Sequence, residues 1–363
     1  APLPGSTGMS LSLRFAVVLL VCCGTISVRA QDAPGDSLKL RVDRAIDVSS
    51  RRFLTIEHHS PWQILHGLLA LRQDLVVNQP GGRSDQRIRA IDWVTQGASY
   101  HGKPLFRLSE HGGQAQPYTQ PYEFEGHPNQ FFAILTMSRL PREYRFQVAG
   151  DREKRSVSID DLIKHAQATV NDREEITWTL WALSHYLPPD ARWMNATGEP
   201  WSIERLVRIQ ANQEVNEAAC GGTHGLFALT YARNAYRKAH SGRVRGAWLE
   251  ADQKIRRHVE EAKLYQNDDG SLSASYFLGP HKSHDFSERV ETSGHTLEWL
   301  VLAASEKQLR SRWLKLAVAA VADDLVQNAD VSIQCGPLYH GLHGLVQYRE
   351  RTWPARDNDT AGK

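Results

Sequence analysis

The sequence predicts an all-α fold, an (α/α)6 toroid of six outer–inner helix pairs spanning residues 31–353. Three observations lead there. A polar cluster with small residues, followed by an apolar helical run, occurs six times along the chain. An amphipathic helix with one charged side precedes each cluster. The apolar runs are hydrophobic almost all round, which demands burial on most sides. A double ring satisfies both classes, with buried helices lining the middle and half-exposed ones wrapped around them. Antiparallel pairs make all six inner helices run the same way.

The inner segments open at His58-His59-Ser60-Pro61-Trp62, Glu125-Gly126-His127-Pro128-Asn129-Gln130 and Asp172-Arg173-Glu174-Glu175. The other three open at Cys220-Gly221-Gly222-Thr223-His224, Glu291-Thr292-Ser293-Gly294-His295 and Cys335-Gly336-Pro337-Leu338-Tyr339-His340. Their helices are expected to begin near Trp62, Pro128, Glu174, Thr223, His295 and Leu338. The triplet His-Gly-Leu recurs at His66, His224, His340 and His343. Outer helices are expected over 38–48, 86–97, 158–170, 202–212, 248–266 and 311–328. Leu162, Ile163 and Ala166 mark the apolar face of the third. Ser158 and Ser202 stand at N-cap positions. Two connections into inner helices are long, about 98–125 and 267–290, and long ordered loops often carry function. A stacked open solenoid is the rival architecture; six pairs without a polar capping repeat favour closure.

The chain has 363 residues, 41% hydrophobic and 23% charged, a balance that reads as globular. Met9, Arg14, the apolar run Phe15 to Cys23 and the small-residue stretch ending Val28-Arg29-Ala30 follow the order of a secretory signal. Residues 1–30 are therefore expected to be upstream residues plus a signal peptide, and 354–363 a flexible tail. Val21 is a poor residue before a lipid-modified Cys22. The predicted address is the periplasm or the cell exterior. The formal net charge is +2, and loss of Arg14 and Arg29 leaves the mature chain near neutrality. No basic stripe invites nucleic acid, and no second long apolar run invites a membrane after signal cleavage. The expected partner is a small molecule or glycan.

The segment Gln266-Asn267-Asp268-Asp269-Gly270-Ser271-Leu272-Ser273 resembles the Gln…Asp-Gly-Ser-Trp turn of the α/α-toroid superfamily that includes terpenoid cyclases and protein prenyltransferases. Leu272 stands where that family has Trp. The resemblance covers the architecture and this one turn. No Asp-x-Asp-Asp or Asp-Asp-x-x-Asp motif lies on an inner helix, so terpene cyclisation is not implied; Asp323-Asp324 falls on an outer helix. The strings EGHPNQ, NDREEITWTLWAL and CGGTHG are also similar to an exported bacterial family with no assigned reaction. Gly294-His295-Thr296-Leu297-Glu298-Trp299 is similar to the Gly-His-x-x-Glu string of sugar 2-epimerases.

The parallel inner helices should bring their polar clusters to one mouth. His127, Glu174, Glu175, His224, His295 and Glu291 are the candidate acids and bases, since imidazoles and paired carboxylates divide proton transfer between them. His59, Gln63, Asn129, Gln130, Trp178, Glu298 and Tyr339 are candidate ligand contacts. Trp178 and Trp181 fit a core role as well as a sugar platform. Cys220, His295, Cys335 and His340 are a candidate zinc set, as lanthionine cyclases and prenyltransferases place zinc in comparable cavities. The two cysteines equally fit a disulfide or two free thiols. The leading function is acid–base chemistry on a carbohydrate or similar polar ligand; zinc-assisted catalysis and non-catalytic binding are the alternatives. Six helix N-termini favour an anion at the mouth, provided that the glutamates pair with Arg173 and Arg289, and protonated histidines should tighten it at pH 5.5.

Overall fold

The computed structural model describes residues 34–81, 86–117 and 122–354; the expected signal segment 1–30 and residues 355–363 of the tail lie outside the described residues. The frame is helical: α1 (Pro34–Ser50), α2 (Pro61–Leu71), α3 (Ala90–Thr95), α4 (Gln130–Leu135), α5 (Ile159–Thr169), α6 (Thr177–Tyr186) and α7 (Ile203–Asn212). It continues through α8 (Thr223–Ala239), α9 (Ala247–Leu264), α10 (Phe286–Ala303), the single turn α11 (Glu306–Leu309), α12 (Arg312–Gln327) and α13 (Cys335–Thr352).

Caps fix several of these boundaries. Ser60 and Gln63 close a reciprocal capping box on α2, with Pro61 at its first position. Ser158 and Asp161 do the same for α5, while Ser202 accepts from Arg205 N alone on α7. Helix α10 starts at Phe286, well before the expected His295. Asp285 caps it by accepting from Glu288 N, and the polar first turn had disguised the helix as loop.

The chain is 55% helix and 10% strand, so the all-α expectation holds for the frame and fails for the connections. The strands are β1 (Val76–Asn78), β2 (Arg87–Arg89), β3 (Ser99–Tyr100), β4 (Lys103–Pro104), β5 (Phe106–Ser109), β6 (Gly112–Ala115), β7 (Arg145–Gln147), β8 (Ser156–Ser158), β9 (Arg192–Met194) and β10 (Pro200–Ser202). They pair consecutively into two-stranded antiparallel sheets. Three of the hairpins play one part. β1–β2 leads from α2 to α3, β7–β8 from α4 to α5, and β9–β10 from α6 to α7. In each, the last strand residue is the N-cap of the next helix. The long 98–125 connection holds the other two hairpins.

Helices α2, α4, α6, α8, α10 and α13 are the more buried set; α4 buries all six of its residues. α2 packs on α4, α4 on α6, α6 on α8, α8 on α10, α10 on α13 and α13 on α2. Neighbours run in the same direction. Trp178 meets His224 and His185 meets Tyr231 across α6 and α8. Across α2 and α13, His66 meets His340 and Arg72 meets Glu350. A Cβ on Gly294 would lie 2.9 Å from Gly341 Cα, and one on Gly344 3.0 Å from Glu298 N, so α10 and α13 touch backbone to backbone. The other helices lie against this set: α1 on α12 and α13, α7 on α6, α8 and α9, and α12 on α10. One contiguous core runs through both sets, with Trp178, Trp201 and Trp299 fully buried in it. The Gln266–Ser273 segment forms a tight turn after α9. Gln266 Nε2 donates to Gly270 O and Trp313 O, and Gly270 (φ +89°) leaves no room for a Cβ beside Leu316 O. No described helix is long and apolar enough to cross a membrane.

Candidate functional site

Four imidazoles meet between the buried helices α2, α8, α10 and α13. His295 and His340 stack at 4.1 Å between ring centres, His224 lies 5.2 Å from His295 and 4.9 Å from His340, and His66 lies 5.4 Å from His340. His127 stands 6.1 Å from His224. Most have one ring nitrogen already engaged. His66 Nδ1 is 2.6 Å from Trp62 O, and His295 Nδ1 2.6 Å from Glu291 O. A carbonyl only accepts, so in both rings the proton sits on Nδ1 and Nε2 presents its lone pair. His340 Nδ1 meets Glu298 Oε2 at 2.7 Å, and His127 Nδ1 meets Glu175 Oε2 at 2.5 Å. His224 Nε2 is buried with no partner.

Burial, then the nearby His340, pulls both His66 and His295 down to about 3. His224 is also lowered well below its ordinary value, by burial and then by His340 and His295. These rings are neutral at physiological pH. Burial opposes ionisation of Glu298, but His340 and His343 hold its carboxyl well below the usual range. His343 Nδ1 meets the other oxygen, Glu298 Oε1, at 2.5 Å.

Cys220 completes the group. One ligand atom each from Cys220, His224 and His295 lie within 4.8 Å of one another. The thiol is placed by an unusual turn: Cys220 (φ +50°), Gly221 (φ +58°) and Gly222 (φ +72°) are consecutive left-handed residues. For a non-glycine residue that conformation costs about 1–3 kcal/mol. Tyr276 packs on the turn so closely that a Cβ on Gly221 would lie 2.1 Å from its ring. The Tyr276 hydroxyl is buried and unpartnered. Burial and then Glu291, Glu298 and Glu175 push the Cys220 thiol up to about 12. A lone-pair cluster ringed by carboxylates attracts a cation, and a bound cation in turn releases the thiol proton.

Cys335 is not in this group. It opens α13 beside Gln63, and both cysteines are free thiols, so no disulfide joins them. His340 stands behind His295, its Nδ1 held by Glu298. The converging set therefore keeps Cys220 and His295 of the expected four and adds His224.

A neighbouring cavity of about 340 Å³ is lined by Glu125, Asn129, His165, Glu174, Glu175 and Thr179, among others. Glu175 also borders His224. Glu125 is buried and accepts from Phe131 N at 2.9 Å; burial outweighs that bond and raises its carboxyl to about 8, so it carries a proton at neutral pH.

Asn129 donates to Thr179 Oγ1 and Gln130 accepts from Gly126 N, which spends both on local structure. His59 bonds Thr55 on the same loop, and Gln63 caps α2. Trp178 is buried between His127 and His224, a wall of the histidine cluster. Tyr339 is buried, and burial raises its phenol pKa. Glu174 and Glu291 are exposed. Arg289 bonds Asp324 and Asp269, not Glu291, and Arg173 forms no ion pair among the described residues. The glutamate–arginine pairing on which the expected anion preference depended is therefore absent among the described residues. The carboxylates are not neutralised by those arginines, and His66, His224 and His295 stay neutral at pH 5.5.

Glu125 and Tyr276 were not among the sequence candidates. Glu125 had a signal, the EGHPNQ string; Tyr276 had none, because only the fold brings its loop over Cys220. Comparison with protein-family models, with curated proteins and with solved structures gave no match.

Proposed function

We propose that the chain is an exported α/α-toroid enzyme. It holds a zinc ion on Cys220, His224 and His295 and acts on a small polar ligand, a carbohydrate or a similar anionic molecule. The observation that carries this reading is the convergence of those three ligand atoms within 4.8 Å. One thiolate and two imidazoles are a donor set zinc favours, and three protein ligands leave a fourth position open. The Nδ1 bond of His295 to Glu291 O is the outer-shell support that orients a metal-binding imidazole. Bound there, zinc supplies Lewis-acid polarisation of a substrate oxygen.

The chain's own residues do the rest. Glu175, tied to His127 and reaching both the cavity and the histidine cluster, serves as the proton acceptor. Tyr276 covers the cysteine turn, and its hydroxyl is buried and unpaired. Trp178 excludes water from one wall. The toroid reading is supported by the packing order, which passes from α2 through α4, α6, α8, α10 and α13 back to α2 with neighbours parallel. The export reading is supported by residues 9–30 and is tested by the N-terminal sequence of the processed protein.

Elemental analysis of the purified full chain tests the metal. One zinc per chain is expected, lost in the Cys220→Ala, His224→Ala double variant; a metal-free wild type that does not take up zinc overturns it. A second reading rests on the 340 Å³ cavity, where protonated Glu125 serves as the acid and Glu175 as the base without metal. Turnover of oligosaccharides, followed by mass spectrometry, separates the two. The metal-free reading requires that the cysteine–histidine double variant stay active.

A further inference from the structure

The opposite ends of the same helices enclose a cavity of about 190 Å³ that the reading above does not use. Arg72, Arg139, His185, Tyr231, His343 and Arg351 line it. His343 is 0% exposed, and its Nε2 has no partner. Its Nδ1 faces the Glu298 carboxylate, which only accepts, so the proton sits on Nδ1 and the open Nε2 is a lone pair. Burial lowers the ring's pKa in spite of that bond, and the ring stays neutral.

Arg72 adds a second open group. Its terminal nitrogens hold Glu350 at 2.6 and 2.9 Å, while its Nε is buried without a partner. Arg139 is exposed at the rim and forms no ion pair among the described residues. Arg351 is committed to Val301 O and Glu306, which offsets the negative carbonyl end of α10. His185 Nδ1 and the Tyr231 hydroxyl lie 2.6 Å apart and satisfy each other. The cavity therefore presents a buried acceptor, a buried N–H donor and one uncommitted guanidinium, with Phe227 and Leu302 as a dry wall.

We infer that this cavity is a second ligand site, for a small oxyanion that also carries an O–H donor: a hydroxycarboxylate, or a phosphate that retains a P–OH. The ligand's O–H pairs with His343 Nε2, and its anionic oxygens meet the Arg72 Nε–H and Arg139. An oxyanion without that proton leaves the buried acceptor unpaired and places negative charge against it.

Calorimetry on the full chain near neutral pH, with the matched pairs glycolate against acetate and phosphate against sulfate, tests this. At least one hydroxyl-bearing member should bind about tenfold tighter than its partner, the factor expected for one buried hydrogen bond. Which pair discriminates identifies the source, carboxylate or phosphate. Arg139→Ala, an exposed substitution, should weaken the preferred ligand about five- to tenfold. The His343 ring ¹⁵N resonances should shift on titration while those of His295 stay in place. Equal affinity within both pairs, no binding at millimolar concentrations, an unchanged Arg139→Ala affinity or a silent His343 would each overturn the site.

Discussion

The two ends of the more buried helices are built from opposite chemistry. At the N-terminal side, most of the imidazoles spend one nitrogen on a carbonyl or carboxylate, with Glu175, Glu291 and Glu298 nearby. At the C-terminal side, arginines are mostly consumed: Arg72 by Glu350, Arg351 by Glu306 and a helix carbonyl. Helix dipoles favour anions at N-termini and cations at C-termini, and the side chains here already supply both. The expectation of an anion at the histidine mouth required Arg289 to neutralise Glu291, and Arg289 is spent on Asp269 and Asp324 instead.

The largest effect should come from the buried ion pair on the C-terminal half of α8. Arg233 and Asp252 are each 4% exposed and bonded to each other, and Asp252 also holds Arg256 at 2.7 Å. Asp252→Ala strands a buried guanidinium and should cost about 3–5 kcal/mol in chemical denaturation. A loss near zero would mean that this end is not held by full pairing.

Metal loading is the sharpest probe of the other end. At a thousandfold excess of zinc over its Kd, binding should stabilise the chain by about 4 kcal/mol. His224→Ala should abolish that gain, read as a melting temperature no longer sensitive to chelator. Persistence of the gain would assign the metal elsewhere.

Next is the α10–α13 seam. Gly294→Ala forces a methyl to within 2.9 Å of Gly341 Cα, and backbone must move. Overpacking of this kind should cost about 1–3 kcal/mol, with a smaller loss at Gly341, where a Cβ meets only ordinary contacts at 3.6 Å. Similar losses at the two positions would deny the backbone contact.

Acid dependence is the smallest effect when counted per pH unit. His66 (about 3) and His165 (about 4) resist protonation in the fold but not in the unfolded chain. Their contribution is full above pH ~6.5 and is lost as pH falls, by up to about 1.4 kcal/mol per unit each. Glu125, raised to about 8, has the reverse sign: it stabilises below pH ~4.5 and loses that contribution as pH rises toward 8. Between pH ~4.5 and 6.5 the three together leave a slope of about +1.4 kcal/mol per unit. His66→Gln should lower the slope by about 1.4 kcal/mol per unit in metal-free protein, as measured by urea melts across that range.

Most of the frame was legible. Outer-helix positions such as 158–170 and 202–212 come within a residue or two of α5 and α7, because Ser158 and Ser202 signal their caps and the apolar spacing is clear. The hairpins were not. Three-residue strands such as Arg87–Arg89 are too short to display an alternating pattern, and their pairing depends on residues across a turn. At the site, the recurring histidines announced a cluster, but which sulfur joins it depended on backbone conformation. Cys220 reaches the imidazoles through three left-handed residues that no periodicity encodes; Cys335 opens its helix with no such turn.

The first helix leans on the last. α1 packs against α12 and α13, and Arg41 on α1 bonds Asp323, 282 residues later in the chain. A ribosome adding 5–20 residues per second needs roughly 15–55 s to make the partner that α1 requires. Through that interval the apolar face of α1, with Val42 and Ala45, has nothing to cover it. The architecture thus postpones its own completion to the end of synthesis.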